Sequence, residues 1–365
     1  LVQGGFFLMN SATPVIKKVM DGGRISAEDA LILVENASIH DLGSIAHTVR
    51  SRLHNNKAYF IYNQHLNFTN ICANKCRFCA YSKRSGEPGA FSLSIDQVKD
   101  MILARSDEPI DEIHIVGGLN PDLGYEYYID MLKTVRKLRP KAGIKAFTAV
   151  EIAFLSDEYG LTHEQVLTDF SKAGLDALPG GGAEVFSPRL RQKLCPEKVS
   201  GKRWLEIHET AHKISIPTNC TLLFGHVETW LDRINHLLAL RDLQDKTGGF
   251  LCFIPLAYQP GYNDLNAKGP DGVDFFKMTA ISRIFLDNIP HIKAYWAFSG
   301  IKAAQLGLWY GADDFDGTIV EEKIGHAAGA DTPKGLTMEQ LRSYIREAGF
   351  EPEQRNSFFR ISKSF

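Results

Sequence analysis

The sequence predicts an α/β protein built as a partial (βα)6 TIM-like barrel, with a helical N-terminal extension and a C-terminal cap. Three observations carry that expectation. From Tyr59 onward, short β-rich runs alternate with segments of helical period, the pattern of parallel βα units. Several predicted strand ends run into small or polar residues, at Gly117-Gly118, Thr148 to Glu151, Gly180-Gly181-Gly182 and Gly225-His226. In parallel βα folds ligands gather at those carboxyl ends, where the loops converge. The third is size: 365 residues, 44% of them hydrophobic, suffice for one large barrel or two ordinary domains.

The elements follow in chain order. Residues 1–8 lack a basic n-region and a cleavage site, so they do not read as a signal peptide, and they are expected to be an addition ahead of Met9. From Ser26 to about Ala37 a serine at the N-cap, acids in the first turn and apolar Ala30, Leu31 and Val34 predict a helix. A second helical pattern runs from about His40 to Leu53, so residues 1–56 form a helical preface. The barrel spans 57–299. Its strands are placed at His65 to Asn70, Glu112 to Gly117, Lys145 to Val150, Ala177 to Gly181, Pro217 to Phe224 and Gly249 to Leu256. Its helices are placed at Ile95 to Ser106, Tyr125 to Leu138, Thr162 to Ala173, Lys202 to Ile214 and Leu231 to Lys246. Segments near Phe275 to Asp287 and Lys293 to Phe298 are candidates to extend the barrel. Residues 300–365 close it: Gly311-Ala312-Asp313-Asp314, Gly317 to Ile324 and His326 to Pro333 read as a long loop over the mouth. A last helix, Met338 to Ala348, precedes a charged tail.

Composition removes whole classes of function. A formal net charge of -2 gives no basic footprint for nucleic acid and favours a small-molecule substrate. No apolar run approaches the ~20 residues of a membrane-spanning helix. Six cysteines are too few for a disulfide scaffold in a chain this long, and three of them crowd into eight positions. That crowding points to a metal site in a reducing cytoplasm.

Cys72, Cys76 and Cys79 form CxxxCxxC in the loop after the first predicted barrel strand. Three thiolates can hold three corners of a cubane iron-sulfur cluster and leave one iron open to a non-protein ligand. A structural zinc would want a fourth protein ligand, from His65 or one of Cys195, Cys220 and Cys252. Those three cysteines otherwise read as small buried hydrophobes.

The string Cys72-Ala73-Asn74-Lys75-Cys76-Arg77-Phe78-Cys79 resembles the signature of the radical S-adenosylmethionine (SAM) superfamily, including the aromatic before the third cysteine. The resemblance implies a radical SAM-type barrel, a [4Fe-4S] cluster on the three cysteines, and S-adenosyl-L-methionine chelating the open iron. It implies that Gly117-Gly118 offers backbone to the methionine amino group, that Phe78 lies beside adenine and that Glu184 reaches the ribose hydroxyls. Each has a plain structural alternative: a turn for the glycines, core packing for Phe78, a helix-start carboxylate for Glu184.

Nearly the whole chain is similar to the aminofutalosine synthases of the futalosine route to menaquinone, through Ile115 to Leu123, Ile144 to Glu151, Leu178 to Glu184, Phe224 to Thr229 and Glu322 to Ala330. That resemblance implies addition of a 5′-deoxyadenosyl radical to the enol ether of 3-[(1-carboxyvinyl)oxy]benzoate, aryl migration and loss of carbon dioxide, with S-adenosylmethionine consumed. It also implies an electron donor, a reductase or a flavodoxin or ferredoxin. Such chemistry asks for a dry, shaped cavity. The substrate has two carboxylates, for which His226 and His326 are the candidate partners, with Thr148 and Glu151 as polar lining at a strand end. Histidines near glycine loops are also common packing residues. Sister enzymes with the same barrel, a dehypoxanthine futalosine cyclase or a deazaflavin-forming synthase, abstract hydrogen instead. A nonenzymatic iron-sulfur or zinc protein is the alternative of another class. The glycine-marked strand ends and the incomplete ligand set stand against it.

Overall fold

Serine and threonine write the helix starts of this chain. Ser26, Ser94, Thr162, Thr229 and Thr337 each open a helix with a reciprocal cap, the hydroxyl accepting from the third helical residue and that residue's side chain accepting from the cap's N–H. The computed structural model describes residues 11–321 and 323–361; the addition expected at residues 1–8 lies outside them. Three helices, Thr13–Met20, Ala27–Asn36 and Ile39–His54, form the preface, the first of them unread in the sequence. The preface lies against the outer helices Trp230–Thr247 and Gly272–Phe285, where Arg24 joins Asp245 (2.6 Å) and Asp287 (2.8 Å).

Among the described residues nine strands follow: β1 (Lys57–Ile61), β2 (Asn63–Leu66), β3 (Glu112–Ile115), β4 (Gly143–Ala146), β5 (Thr218–Phe224), β6 (Phe250–Ala257), β7 (His291–Ile292), β8 (Asp314–Gly317) and β9 (Glu351–Gln354). They make three parallel groups, β2-β3-β4, β5-β6-β7 and β8-β1-β9. Parallel bridges Lys145↔Ala177 and Leu178↔Thr218 join β4 to β5. Bridges Lys293↔Asp314 and Gln64↔Val320 run from β7 through residues 314–320 back to β2, so the C-terminal segment spans the gap in the barrel wall. This is the TIM-like α/β class, with helices such as Tyr125–Leu138 and His163–Ala173 on the outside. Among the described residues no helix is long and apolar enough to cross a membrane.

The structure departs from the sequence reading at several places, beginning with the first barrel strand, expected at His65 to Asn70 and found at Asn63–Leu66. The strand expected at Lys145 to Val150 stops at Ala146, because Thr148 and Glu151 are the start of helix Ala149–Tyr159: the Glu151 carboxylate accepts from the Thr148 N–H at 2.6 Å. The strand expected at Ala177 to Gly181 is reduced to two bridges, since Pro179 has no donor and three glycines follow. Phe275 to Phe285 lies in the helix Gly272–Phe285, with Leu286 and Asp287 past its end, and Lys293 to Phe298 contributes one bridge before the short helix Trp296–Ser299. Within the stretch read as a loop past Gly300 stand the helix Ile301–Trp309 and β8.

Strand β8 escapes a hydropathy reading because two of its four buried residues are aspartates. Asp313, Asp314 and Asp316 are all buried, and each meets a buried cation: Arg283, Arg355 and Lys293. Both guanidinium nitrogens of Arg355 that face Asp314 bond its carboxylate, one at 3.1 Å. Removing one partner of such a pair leaves an uncompensated buried charge. Arg355→Leu is therefore expected to lower the unfolding free energy by about 3–5 kcal/mol, read by chemical denaturation. A loss below about 1 kcal/mol contradicts that role for the pair.

Candidate active site

The loop that leaves β2 is tied to itself before it reaches the cysteines. Asn70 accepts from the Phe91 N–H (2.8 Å) and donates to the Gly89 carbonyl (2.9 Å), while the Cys72 N–H donates to the Lys83 carbonyl (3.0 Å). Arg84 donates to the carbonyls of Cys72 (2.8 Å) and Ala73 (2.6 Å). The Cys79 N–H bonds the Cys76 carbonyl at 3.1 Å, a tight turn between two of the thiols. Cys72, Cys76 and Cys79 thus stand together at the carboxyl end of the barrel, each half-buried, while Cys195, Cys220 and Cys252 are buried.

The geometry of the thiols discriminates between metals. A tetrahedral zinc with Zn–S of about 2.3 Å requires its sulfurs to be about 3.8 Å apart. Among the described residues the one group of three metal-ligating side chains gathered within 4.8 Å is His54, His291 and Asp313, at the opposite end of β7 and β8, so the three sulfurs are spread more widely than one zinc allows. A four-iron cubane takes one thiolate at each of three corners and leaves its fourth iron open, the ligand number this triad offers. Burial raises the Cys72 thiol and pushes Cys76 up to about 12, with nearby Lys198 opposing, so metal binding has to displace those protons.

The Gly117-Gly118 loop at the end of β3 lies against the cysteine loop. A Cβ on Gly118 would stand 2.1 Å from the Ile71 carbonyl oxygen and 3.1 Å from the Cys72 Cβ. The Gly118 N–H donates to the Thr69 carbonyl (2.9 Å), the Ala73 N–H to the Leu119 carbonyl (2.8 Å) and the Leu119 N–H to the Cys72 sulfur (3.4 Å). On the other side, the Gly117 N–H donates to Glu151 at 3.1 Å. Glu151 is thus a strut between the helix start at Thr148 and the glycine loop. Burial pushes its carboxyl up to about 7, against the pull of the Thr148 and Gly117 N–H groups.

That strut has a pH signature. The folded carboxyl keeps its proton up to about 7, whereas an unfolded glutamate releases it near 4.5, so the folded state binds more protons between those values. Its contribution is fully present below the unfolded value and is lost as pH rises through the folded one. Relative to the non-titrating Glu151→Gln variant, the wild type is expected to lose on the order of 3 kcal/mol between about pH 4.5 and pH 8, measured by denaturation at each pH. A flat difference contradicts the raised carboxyl.

Glu184 lies across the mouth in a left-handed turn (φ 48°), not at a helix start, and accepts an ion pair from Lys198 at 2.7 Å. The Lys198 ammonium also lies 5.3 Å over the Phe78 ring. Burial by itself lowers this ammonium, but Cys76 and Glu184 hold it above its ordinary value. Lys198 is the residue the sequence reading missed, and its one local signal is its place shortly after Cys195 in the loop following helix Pro188–Leu194.

The barrel encloses a cavity of about 330 Å³ that the three cysteines, Phe78, Gly117, Gly118, Thr148, Glu151, Glu184 and Lys198 line at its mouth. His226 and His326 are not in that lining. Gly225 turns the chain with φ 85°, and the His226 ring folds back between the Leu223 carbonyl (3.0 Å) and Glu228 (2.9 Å), a carboxylate that Arg233 also holds. His326 faces the Thr332 carbonyl at 3.0 Å, while its neighbours Ile324 and Ala328 reach the cavity.

Comparison with known proteins agrees with this geometry. Residues 66–240 match the Radical SAM superfamily, and residues 247–364 match the CofH/MqnC C-terminal region. The chain is 43% identical to the aminodeoxyfutalosine synthase of Thermus thermophilus, over 95% of each chain. It is 38% identical to that of Streptomyces coelicolor, over 96% of this chain and 93% of the other. The crystal structure of methylornithine synthase (PylB) superposes with a TM-score of 0.72 at 16% identity, covering 93% of this chain and 97% of that one, a likeness of fold alone.

Proposed function

We propose, for a chain that belongs to the radical SAM superfamily and within it to the aminodeoxyfutalosine synthase family, that it makes 6-amino-6-deoxyfutalosine from 3-[(1-carboxyvinyl)oxy]benzoate and S-adenosylmethionine. The observation that carries this reading is the whole-length similarity to aminodeoxyfutalosine synthases combined with a CxxxCxxC triad at the mouth of a lined cavity. The overall change is addition to the enol-ether carbon, aryl migration and decarboxylation.

Bound at the mouth, the [4Fe-4S] cluster and S-adenosylmethionine supply a 5′-deoxyadenosyl radical. The protein's share is placement and exclusion of water. Cys72, Cys76 and Cys79 would hold the cluster. Lys198, held by Glu184 and close to Cys76, offers an ammonium to the methionine carboxylate, and Gly117-Gly118 present bare backbone to its amino group. Phe78 lines the same wall for the adenine, and Glu184 is within the mouth for the ribose. Glu151 fixes the glycine loop. The reductant is a one-electron donor, a flavodoxin, a ferredoxin or their reductase, and a reducing cytoplasm suits a loop of three free thiols.

The test is an anaerobic assay of reconstituted enzyme with S-adenosylmethionine, dithionite and 3-[(1-carboxyvinyl)oxy]benzoate, read by mass spectrometry. An adduct containing the adenosyl moiety and lacking one carbon dioxide supports the reading. Stoichiometric free 5′-deoxyadenosine without that adduct overturns it in favour of hydrogen abstraction.

A further inference from the structure

Of the two residues between Cys76 and Cys79, Phe78 is half-buried in the cavity lining and Arg77 is exposed. The Arg77 guanidinium nonetheless engages main chain. Its Nη2 donates to the Asp264 carbonyl at 3.0 Å, and the Asp264 N–H donates back to the Arg77 carbonyl at 2.8 Å. The Arg77 N–H donates to the Leu194 carbonyl at 2.9 Å, at the end of the helix Pro188–Leu194 and four residues before Lys198. One residue inside the cysteine motif thus ties together three loops of the mouth.

Asp264 lies in residues 258–271, which connect β6 to the helix Gly272–Phe285. That loop is stiffened from within by Asn263. Its side-chain oxygen accepts from the Tyr258 hydroxyl (2.7 Å) and the Leu265 N–H (3.1 Å), and its amide donates to the carbonyls of Gln259 (2.9 Å) and Gly261 (3.0 Å). On its other side the loop meets the C-terminal cap, where a Cβ on Gly261 would stand 2.5 Å from the Ala328 carbonyl oxygen. Tyr258, Gln259 and Ala328 line the same cavity as the three cysteines. The loop therefore bridges the mouth from the cysteine loop to the cap. A segment bonded so closely to itself opens at its attachments rather than by melting, and on the cysteine side the attachment is the reciprocal Arg77–Asp264 pair.

We propose that Arg77 is a positioning residue, the clasp that holds the 258–271 loop across the mouth during the radical reaction. Loops of this kind sequester a reaction from water and prevent side reactions of its intermediates. The clasp itself requires only the radical chemistry of the superfamily; its effect on adduct formation rests on the synthase reading above.

The first measurement is amide hydrogen exchange of the reconstituted enzyme, read by mass spectrometry over residues 260–266. Arg77→Ala is expected to exchange there about fivefold faster than wild type, the effect of one lost hydrogen bond on a local opening. Arg77→Met takes its place should the first variant lose the 400 nm band. Asp264→Ala keeps both main-chain groups of the pair and is expected to exchange as wild type does. Unchanged exchange in the arginine variant overturns the clasp, and so does acceleration spread equally over β5 and β6, which marks general loosening. The second measurement is the ratio of free 5′-deoxyadenosine to adduct in the anaerobic assay, expected to rise at least about fivefold in Arg77→Ala at equal cluster content. Faster exchange with an unchanged ratio overturns the positioning role. A wild type that forms no adduct removes the synthase reading instead, and the clasp then stands or falls on the exchange rates.

Discussion

Replacing Cys76 by serine is expected to abolish the cluster's broad absorbance near 400 nm after anaerobic reconstitution and to bring product formation below detection, a loss of more than about 10⁴-fold. Cys76 sits between the other two ligands in sequence and, with Lys198 close by, is the thiol that burial raises to about 12. A neutral hydroxyl cannot replace a thiolate at an iron corner. Because the radical is generated only at the cluster, no slower protein-based route substitutes for it. Removing the thiol of Cys220, buried on β5 behind the cavity wall, separates loss of a ligand from loss of a thiol. Cys220→Ala is expected to keep the absorbance and most of the activity, at a stability cost of about 1 kcal/mol. Retention of the 400 nm band by Cys76→Ser overturns the assignment of this residue as a ligand.

Gly118→Ala is expected to be the most damaging conservative substitution in the barrel. The added methyl would lie 2.1 Å from a main-chain oxygen, that of Ile71, which cannot rotate away as a side chain would. The cysteine loop has to shift by about 1 Å, straining the bonds that join Gly118 to Thr69 and Leu119 to Ala73 and Cys72. Displacement of that size at a reacting centre costs about 10²-fold in rate. The measurement is kcat/KM for adduct formation with reconstituted variant, alongside cluster content. Gly124→Ala is the control: it has open space around it and an ordinary φ of -67°, and it is expected to stay within about twofold of wild type. Equal activities for the two variants contradict the close contact as a requirement of the site.

Several features were legible because their physics is local. Capping is decided within four residues, so the helices at Ser26, Thr162 and Thr229 fall within a residue or two of the expected bounds. Alternation of apolar strands with helical segments needs no long-range information either, and β3, β5 and β6 appear where expected. Where two local rules competed, hydropathy misled. Lys145 to Val150 has strand-like residues, but Thr148 and Glu151 close a cap and end the strand.

Other features have no local signature. Asp314-Phe315-Asp316-Gly317 looks like a solvated turn, yet it is a buried strand, because Arg355 and Lys293 arrive from 41 and 23 residues away to neutralise its carboxylates. His226 follows a strand-end glycine as a ligand would, and its ring is claimed by the Leu223 carbonyl and by Glu228 within three residues of it. Lys198 has no motif of its own and matters only because the fold sets it against Glu184, Phe78 and Cys76.

By itself the sequence determined the covalent essentials: three thiols at a spacing that leaves one iron open, glycines at strand ends, and caps and periods sufficient to specify parallel βα units. Tertiary structure alone decided which polar groups share the barrel interior, whether a histidine faces the cavity or the wall, and which residues span the gap between β7 and β2. The physical reason is range. Thiol spacing, capping and periodicity are fixed by bonds and contacts a few residues apart, whereas burial and charge pairing depend on neighbours brought together from 14 to more than 250 residues along the chain.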